Sequence, residues 1–290
     1  MADIPDSEHS QQGHEGYVVD AENAAEMARL VVLQQVLTKA MGGVLAEQSD
    51  LSQVHDVLDI ACGPGAWVLD VARQYPDMRL VGIDISQLMI EYANVLAESQ
   101  GVTQARFQIM DATRPLLFPD ASFDLVNGRI LTGFLTREQW SQLLAECARI
   151  TRTGGILRLT EGEWGFTNSV AFDKLMEISN RAMALTSHSF SPRGRTIGTA
   201  NVLRLLMQQT GYEVLGYRAH AVDYSAGTEL HDGNIQNFLV FQKLLQPLLV
   251  QMQLTTQEEL DRLYEQFEQE VFAPTFCGVD YYLTVWGRKN

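Results

Sequence analysis

Short apolar runs alternate with amphipathic stretches over most of the chain, and the two periods separate cleanly. Val57, Leu58 and Ile60 form a compact apolar run suited to a parallel strand covered on both faces. Further runs at Leu80–Ile85, Ala105–Met110, Phe123–Val126 and Ile156–Thr160 predict four more strands. Between them, residues 66–75, 87–99 and 137–150 repeat apolar positions at helical spacing. Ser86 is a candidate N-cap, and Thr136 with Gln139 reads as a capping box. Strict strand–helix alternation predicts an α/β fold with a parallel, doubly wound sheet. Tyr212–Tyr224 and Val279–Trp286 alternate polar and apolar residues, so they predict a sixth and a seventh strand, the last one antiparallel at the sheet edge.

Three stretches exceed what this alternation needs. Residues 21–41 carry Met27, Leu30, Val31, Leu37 and Met41 at helical spacing and end at Gly42-Gly43, which predicts an N-terminal helical cover over 17–45. Residues 162–210 and 226–275 each predict two helices, read as lid insertions at the carboxyl edge of the sheet. The second insertion either completes the lid or makes a homodimer contact; its last helix opens on the capping box Thr256–Glu259. Residues 1–16 are polar, with His9 and His14, and read as a disordered tail; 17–290 then form a single domain.

The strand at Val57 feeds the turn Cys62-Gly63-Pro64-Gly65, where two glycines let backbone approach a ligand. Many turns look alike, but Asp84 closes the second strand nineteen residues after Gly65, placed to accept hydrogen bonds from ribose hydroxyls. A dinucleotide fingerprint would need a third glycine where Val68 stands, and Asp59 sets a carboxylate before the turn that repels a pyrophosphate and suits a cation. Asp111-Ala112 follows the third strand, where the carboxylate either accepts from a purine amino group or closes an Asx turn. Asn127-Gly128-Arg129 lies at the tip of the fourth strand, at the topological switch point; Arg129 meets either a ligand or a neighbouring carboxylate.

At these residues the chain resembles the class I S-adenosylmethionine-dependent methyltransferases, in particular the small-molecule branch that includes the ubiquinone and menaquinone biosynthesis C-methyltransferases. The likeness covers about residues 50–160. It rests on Asp59-Ile60-Ala61-Cys62-Gly63-Pro64-Gly65, Asp84, Met110-Asp111-Ala112 and the run Leu117–Val126. It implies a Rossmann-like seven-stranded sheet and S-adenosylmethionine as cofactor. Asp59, Ala61, Gly63 and Gly65 would line its methionine part, Asp84 and Ile85 its ribose, Asp111 and Ala112 its adenine, with Asn127 beside them. Family members usually have glycine at the place of Ala61. In such enzymes the N-terminal helix folds over the cofactor mouth, where Tyr17 and Arg29 would reach the methionine carboxylate; otherwise Tyr17 packs and Arg29 is a solvated charge. The Gly128-Arg129-Ile130 sequence departs from the Pro-Pro-aromatic pattern of nucleobase and protein-amide methyltransferases, which leaves a small-molecule acceptor.

Composition narrows partners further. With 36 acids against 21 bases the net charge is −15, which disfavours nucleic acid and anionic membranes. No apolar run approaches the ~20 residues of a membrane span, and no signal peptide is visible. Three cysteines without paired spacing indicate neither a disulfide framework nor a metal site, and fit a reducing cytoplasm. A general base is needed only for a hydroxyl or carbon acid, and His188, His220, His231, Glu161 and Glu163 are candidates. Trp164, Phe166, Phe190, Tyr224 and Phe238 suggest an aromatic pocket, and Arg193 with Arg195 either clamps an anion or belongs to a solvated loop. The alternatives are a cofactor-binding protein of cyclase or decarboxylase type, a non-catalytic binder, and a nicotinamide-dependent oxidoreductase.

Overall fold

Apolar runs in the middle of the chain form a sheet buried on both faces because helices follow each of them. The computed structural model describes residues 18–290; the tail at 1–16 and Tyr17 lie outside the described residues. The strands are β1 (Asp56–Ile60), β2 (Arg79–Asp84), β3 (Ala105–Ile109), β4 (Phe123–Arg129), β5 (Thr151–Thr167), β6 (Tyr212–Asp223) and β7 (Gly278–Lys289). They build one seven-stranded sheet in the order β3-β2-β1-β4-β5-β7-β6. β1 pairs in parallel with both β2 and β4, and β7 runs antiparallel to β5 and β6. The order reverses between β1 and β4, where a crevice opens at the strand tips.

The helices are α1 (Ala24–Ala40), α2 (Ala66–Gln74), α3 (Gln87–Ser99), α4 (Arg137–Ile150), α5 (Val170–Leu185), α6 (Thr199–Gln209), α7 (His231–Gln251) and α8 (Gln257–Val271). Ser86 caps α3 by accepting from Met89 N–H, and Thr136 with Gln139 forms the full capping box on α4. On α8 the Thr256 half of the box is present, its hydroxyl accepting from Glu259 N–H. One core, including Leu58, Val126, Trp140, Leu157 and Val285, lies between the sheet and α4 and α6. A second, with Trp67, Val68, Leu69 and Ala93, fills the opposite face under α2 and α3.

Three readings change. α6 is not part of a lid: Ala200, Leu203 and Met207 bury it against the sheet, so it is the crossover that returns the chain to β6. β5 is far longer than 156–160 because β7 pairs along its whole extension, as far as Thr167 opposite Gly278. In α1 the buried face is Leu33, Val36 and Leu37, together with the charged Glu26 and Arg29, because α1 packs on α7 through a polar contact as well as an apolar one. α5, α7 and α8 form a helical cluster of their own around Phe172, Tyr224, Phe238, Leu249 and Phe267. α1 and α7 together roof the carboxyl ends of the parallel strands. Among the described residues no helix is long and apolar enough to cross a membrane.

Candidate functional site

The tips of β1, β2, β4 and β5 and the underside of α1 and α7 enclose a cavity of about 200 Å³. Of the site residues named from the sequence, Ala61, Gly63, Asp84, Ile85, Asp111, Ala112 and Arg29 line it. Gly63 adopts φ +53°, and a Cβ there would meet Leu30 and Met89 at 3.7 Å, so the bare backbone lies open beneath the α1 cover. Gly65 has a different task. At φ +80° its missing side chain leaves room for Phe107 and Ala93, which a Cβ would approach to 2.6 and 2.8 Å, so Gly65 seats α2 against β3 and does not line the cavity.

Asp84 ends β2 with both carboxylate oxygens fixed: one accepts from Gly63 N–H at 2.8 Å, the other from Ser86 N–H at 3.0 Å. Burial pushes its carboxyl above the usual range, and the neighbouring Glu22 adds to this. The carboxylate of Glu22 accepts from Gln87 and Leu88 N–H at 2.8 and 3.1 Å. The first turn of α3 is thus neutralised by the protein's own acid, where a phosphate would otherwise bind. Asp111 closes an Asx turn, Oδ1 accepting from Thr113 N–H at 2.8 Å and from its hydroxyl at 2.7 Å, while Oδ2 lies 3.7 Å from Arg114.

Asp59 and Asn127 do not line the cavity. They stand in register on β1 and β4, with Arg158 next on β5. Asn127 Nδ2 donates to Asp59 at 2.7 Å, Arg158 donates to Asn127 Oδ1 at 2.7 Å, and Arg158 pairs with Glu47 at 2.5 Å. Both ends of the Asn127 amide are therefore used by the protein, which takes Asn127 away from the ligand. Burial raises the Asp59 carboxyl to about 6, against the opposing pull of Arg129, Asn127 and Arg158. Arg129 lines the cavity, bonded to Gln34 and stacked over the Trp67 ring at 5.8 Å; burial lowers its guanidinium to about 10.

Toward α7 the cavity becomes aromatic, with Trp164, Phe238 and Phe241. Glu161 closes this end, its oxygens accepting from Leu131 N–H at 2.6 Å and Thr132 Oγ1 at 2.8 Å; burial pushes its carboxyl up to about 8. Glu163 also lines the wall and accepts from Ile197 and Gly198 N–H at 2.9 and 2.6 Å, capping α6 from a distant strand.

The three histidines are elsewhere, each held by a local partner. His188 Nδ1 is 2.9 Å from Thr186 Oγ1, His220 Nε2 is 3.4 Å from Thr284 Oγ1, and His231 Nδ1 is 2.9 Å from the Tyr224 carbonyl. None lines the cavity, so the candidate base among the described residues is a carboxyl. Phe166 is 76% exposed, Phe190 packs in the core beside the sheet, Tyr224 is buried among the helices, and Arg193 and Arg195 lie outside the cavity. Sequence reasoning missed Glu26, which pairs with Arg29 at 2.6 Å, and Asn237, which accepts from Arg29 at 2.6 Å. It also missed Asp280. Only the antiparallel pairing of β7 beside β5 brings Asp280 to the cavity.

These residues fit a nucleoside sulfonium. Each Asp84 oxygen accepts one protein bond, which leaves lone pairs for a sugar diol. Ile85, Met110 and Ala112 offer an apolar slot for a purine, and Arg129 a cation for a carboxylate. Residues 57–155 match the family model of the methyltransferase domain. A demethylmenaquinone methyltransferase of Deinococcus radiodurans is 36% identical over 105 residues, 36% of this chain and 42% of that one. Aklanonic acid methyltransferase DauC of Streptomyces sp. is 35% identical over 124 residues, 41% of this chain and 56% of that one. The matched part spans about half the length of these relatives. In fold, a putative methyltransferase of Bacillus halodurans superposes with TM-score 0.55 at 18% identity, covering 87% of this chain and 98% of that one. The [4+2]-cyclase SpnF superposes at TM-score 0.52 and 19% identity, covering 93% and 96%.

Proposed function

We propose that residues 57–155, which match the methyltransferase-domain family model, form a class I S-adenosylmethionine-dependent methyltransferase domain, and that the chain transfers the methyl group of that cofactor to a small-molecule acceptor by in-line displacement. One observation carries the reading: a single cavity joins the sugar and purine fittings at Asp84 and Ala112 to an aromatic compartment at Trp164 and Phe238. Relatives named for demethylmenaquinone and aklanonic acid support a small-molecule acceptor. The net charge of −15 supports a partner other than nucleic acid, and the unpaired cysteines Cys62, Cys147 and Cys277 support a reducing, cytoplasmic setting.

When bound, the cofactor supplies a methyl group already activated by sulfonium charge. The protein's part is to hold the reactants in line and to exclude water. Asp84 orients the sugar; Ala61 and Gly63 give the methionine part room; Arg129 takes its carboxylate. The α1–α7 roof, tied by the Arg29–Asn237 bond, keeps water out. For an acceptor that is a hydroxyl or a carbon acid, Glu161 would take the proton. Its carboxyl sits near 8, and a positive ligand in the cavity favours the ionised, basic form.

Calorimetry with S-adenosylhomocysteine tests the reading. Wild-type protein is expected to bind it, and Asp84→Ala to lose about 1.5–3 kcal/mol, roughly 10- to 150-fold in affinity, the worth of hydrogen bonds to a charged acceptor. Binding of a nicotinamide dinucleotide in its place would overturn the assignment. A cyclase-type role is separated by product: methyl transfer alone releases S-adenosylhomocysteine in step with turnover.

A further inference from the structure

Helix α1 and the sheet meet at the cavity in a polar contact. Gln34, half-buried on α1, lines the cavity, and Arg129 at the tip of β4 lines the same space. The Arg129 guanidinium donates to Gln34 Oε1. A guanidinium and an amide NH2 are both donors only, so this bond fixes which end of the amide faces the arginine. Gln34 Nε2 is carried on the same carbon as the bonded oxygen and has no hydrogen-bond partner among the described residues.

Arg129 is 8% exposed, and its contacts among the described residues are that amide oxygen and the face of the Trp67 ring. No carboxylate of the described residues stands within salt-bridge distance of it; Asp59 attracts it from farther away. Arg29, the cavity's other arginine, is paired with Glu26 at 2.6 Å and bonded to Asn237. Burial without a paired anion draws the Arg129 guanidinium down to about 10, a cost that an incoming carboxylate removes. Asp84 and Arg129 end the two strands that flank β1, so a nucleoside held at Asp84 has the Ala61–Gly63 turn between it and the arginine. A carboxylate brought to Arg129 has lone pairs to spare, and the Gln34 amide is already bonded to the group it meets.

We propose that Gln34 is a cofactor-binding residue: with Oε1 it holds the Arg129 guanidinium, and with Nε2 it donates to the carboxylate of the cofactor's amino-acid end, so that the ligand itself fastens α1 over the site. This rests on the methyltransferase reading and adds to it that the roof closes on the amino-acid end rather than on the nucleoside.

The test uses the full chain and two ligands read by calorimetry: S-adenosylhomocysteine, and 5′-methylthioadenosine, which keeps the purine, sugar and sulfur but has no amino-acid end. Wild-type protein is expected to bind the first at least tenfold more tightly. Gln34→Leu is expected to lower affinity for S-adenosylhomocysteine about tenfold, the loss of one hydrogen bond to a charged group, and to leave 5′-methylthioadenosine within twofold. Gln34→Glu sets a carboxylate against Arg129; it is expected to cost S-adenosylhomocysteine more than Gln34→Leu does, again sparing the shorter ligand, and it serves should Gln34→Leu not fold. Hydrogen exchange reads the roof: α1 amides of the wild type are expected to exchange at least fivefold more slowly with saturating S-adenosylhomocysteine than with saturating 5′-methylthioadenosine. Equal losses for both ligands in a folded variant, unchanged affinity for S-adenosylhomocysteine, no wild-type preference for it, or equal protection of α1 by the two ligands overturns the proposal. Should neither variant fold, the wild-type preference and exchange decide. Failure of wild-type protein to bind either ligand is a different result and overturns the methyltransferase reading instead.

Discussion

Ala61 holds φ +51° and Ile130 φ +57°, and both line the cavity on the two sides of the switch point. A left-handed conformation costs a side chain with a Cβ about 1–2 kcal/mol, more where the residue is β-branched. The strain therefore sits at the tips of β1 and β4, where the backbone must turn away sharply to leave space for a ligand. Ala61→Gly relieves it. After the larger unfolded-state entropy of glycine is allowed for, the variant is expected to gain about 0.5–1 kcal/mol in urea unfolding. A loss of stability would show that the Ala61 methyl is packed rather than strained.

Among the elements, β1, β4 and β5 are linked by a buried polar chain whose end, Glu47, belongs to the segment after α1. Glu47 and the guanidinium of Arg158 are each 1% exposed. Arg158 holds the Glu47 carboxyl below its usual range in spite of burial, which by itself acts the other way. Removing one partner strands the other's charge. Glu47→Leu is expected to cost about 3–5 kcal/mol, and Glu47→Leu with Arg158→Met to recover most of it, since two packed apolar residues replace a buried pair at little net cost. A double-mutant cycle in denaturant reads this directly, and a coupling within about 0.5 kcal/mol of zero would mean that the chain of bonds does not fasten the N-terminal cover to the sheet.

For the molecule as a whole, burial has moved three carboxyls the same way: Asp59 to about 6, Asp280 to about 7 and Glu161 to about 8. Each keeps its proton in the folded state after the unfolded chain has released it, so folding loses free energy as pH rises from the unfolded carboxyl range through these values. Paired carboxyls such as Asp56 and Asp124, held low by Arg79 and Arg152, act oppositely and give up stability only in stronger acid. Repulsion within an acidic chain of pI about 4.7 adds to the fall above neutrality. Scanning calorimetry is expected to show the highest Tm near pH 5 and a steady decline to pH 9, shallower in Glu161→Gln. A Tm that rises from pH 5 to 8 would contradict the neutral state assigned to these buried acids.

What the sequence determined by itself is local. The parallel strands follow from short apolar runs, the caps at Ser86 and Thr136 from residues that bond their own helix, and the cavity rim at Ala61, Gly63, Asp84, Asp111 and Ala112 from turns within a few residues of a strand end. What only the tertiary structure decided depends on pairing between distant segments. Asp59 and Asn127 are adjacent in register with Arg158, and the polar ladder they form took Asn127 out of the cavity. Asp280 entered it because β7 lies antiparallel beside the long β5. His188, His220 and His231 lie outside it, beside Thr186, Thr284 and the Tyr224 carbonyl. Hydrophobic period and capping act over a few residues of one segment, whereas the neighbours of a buried polar group are chosen by strand order, and strand order is settled only when the whole sheet has formed.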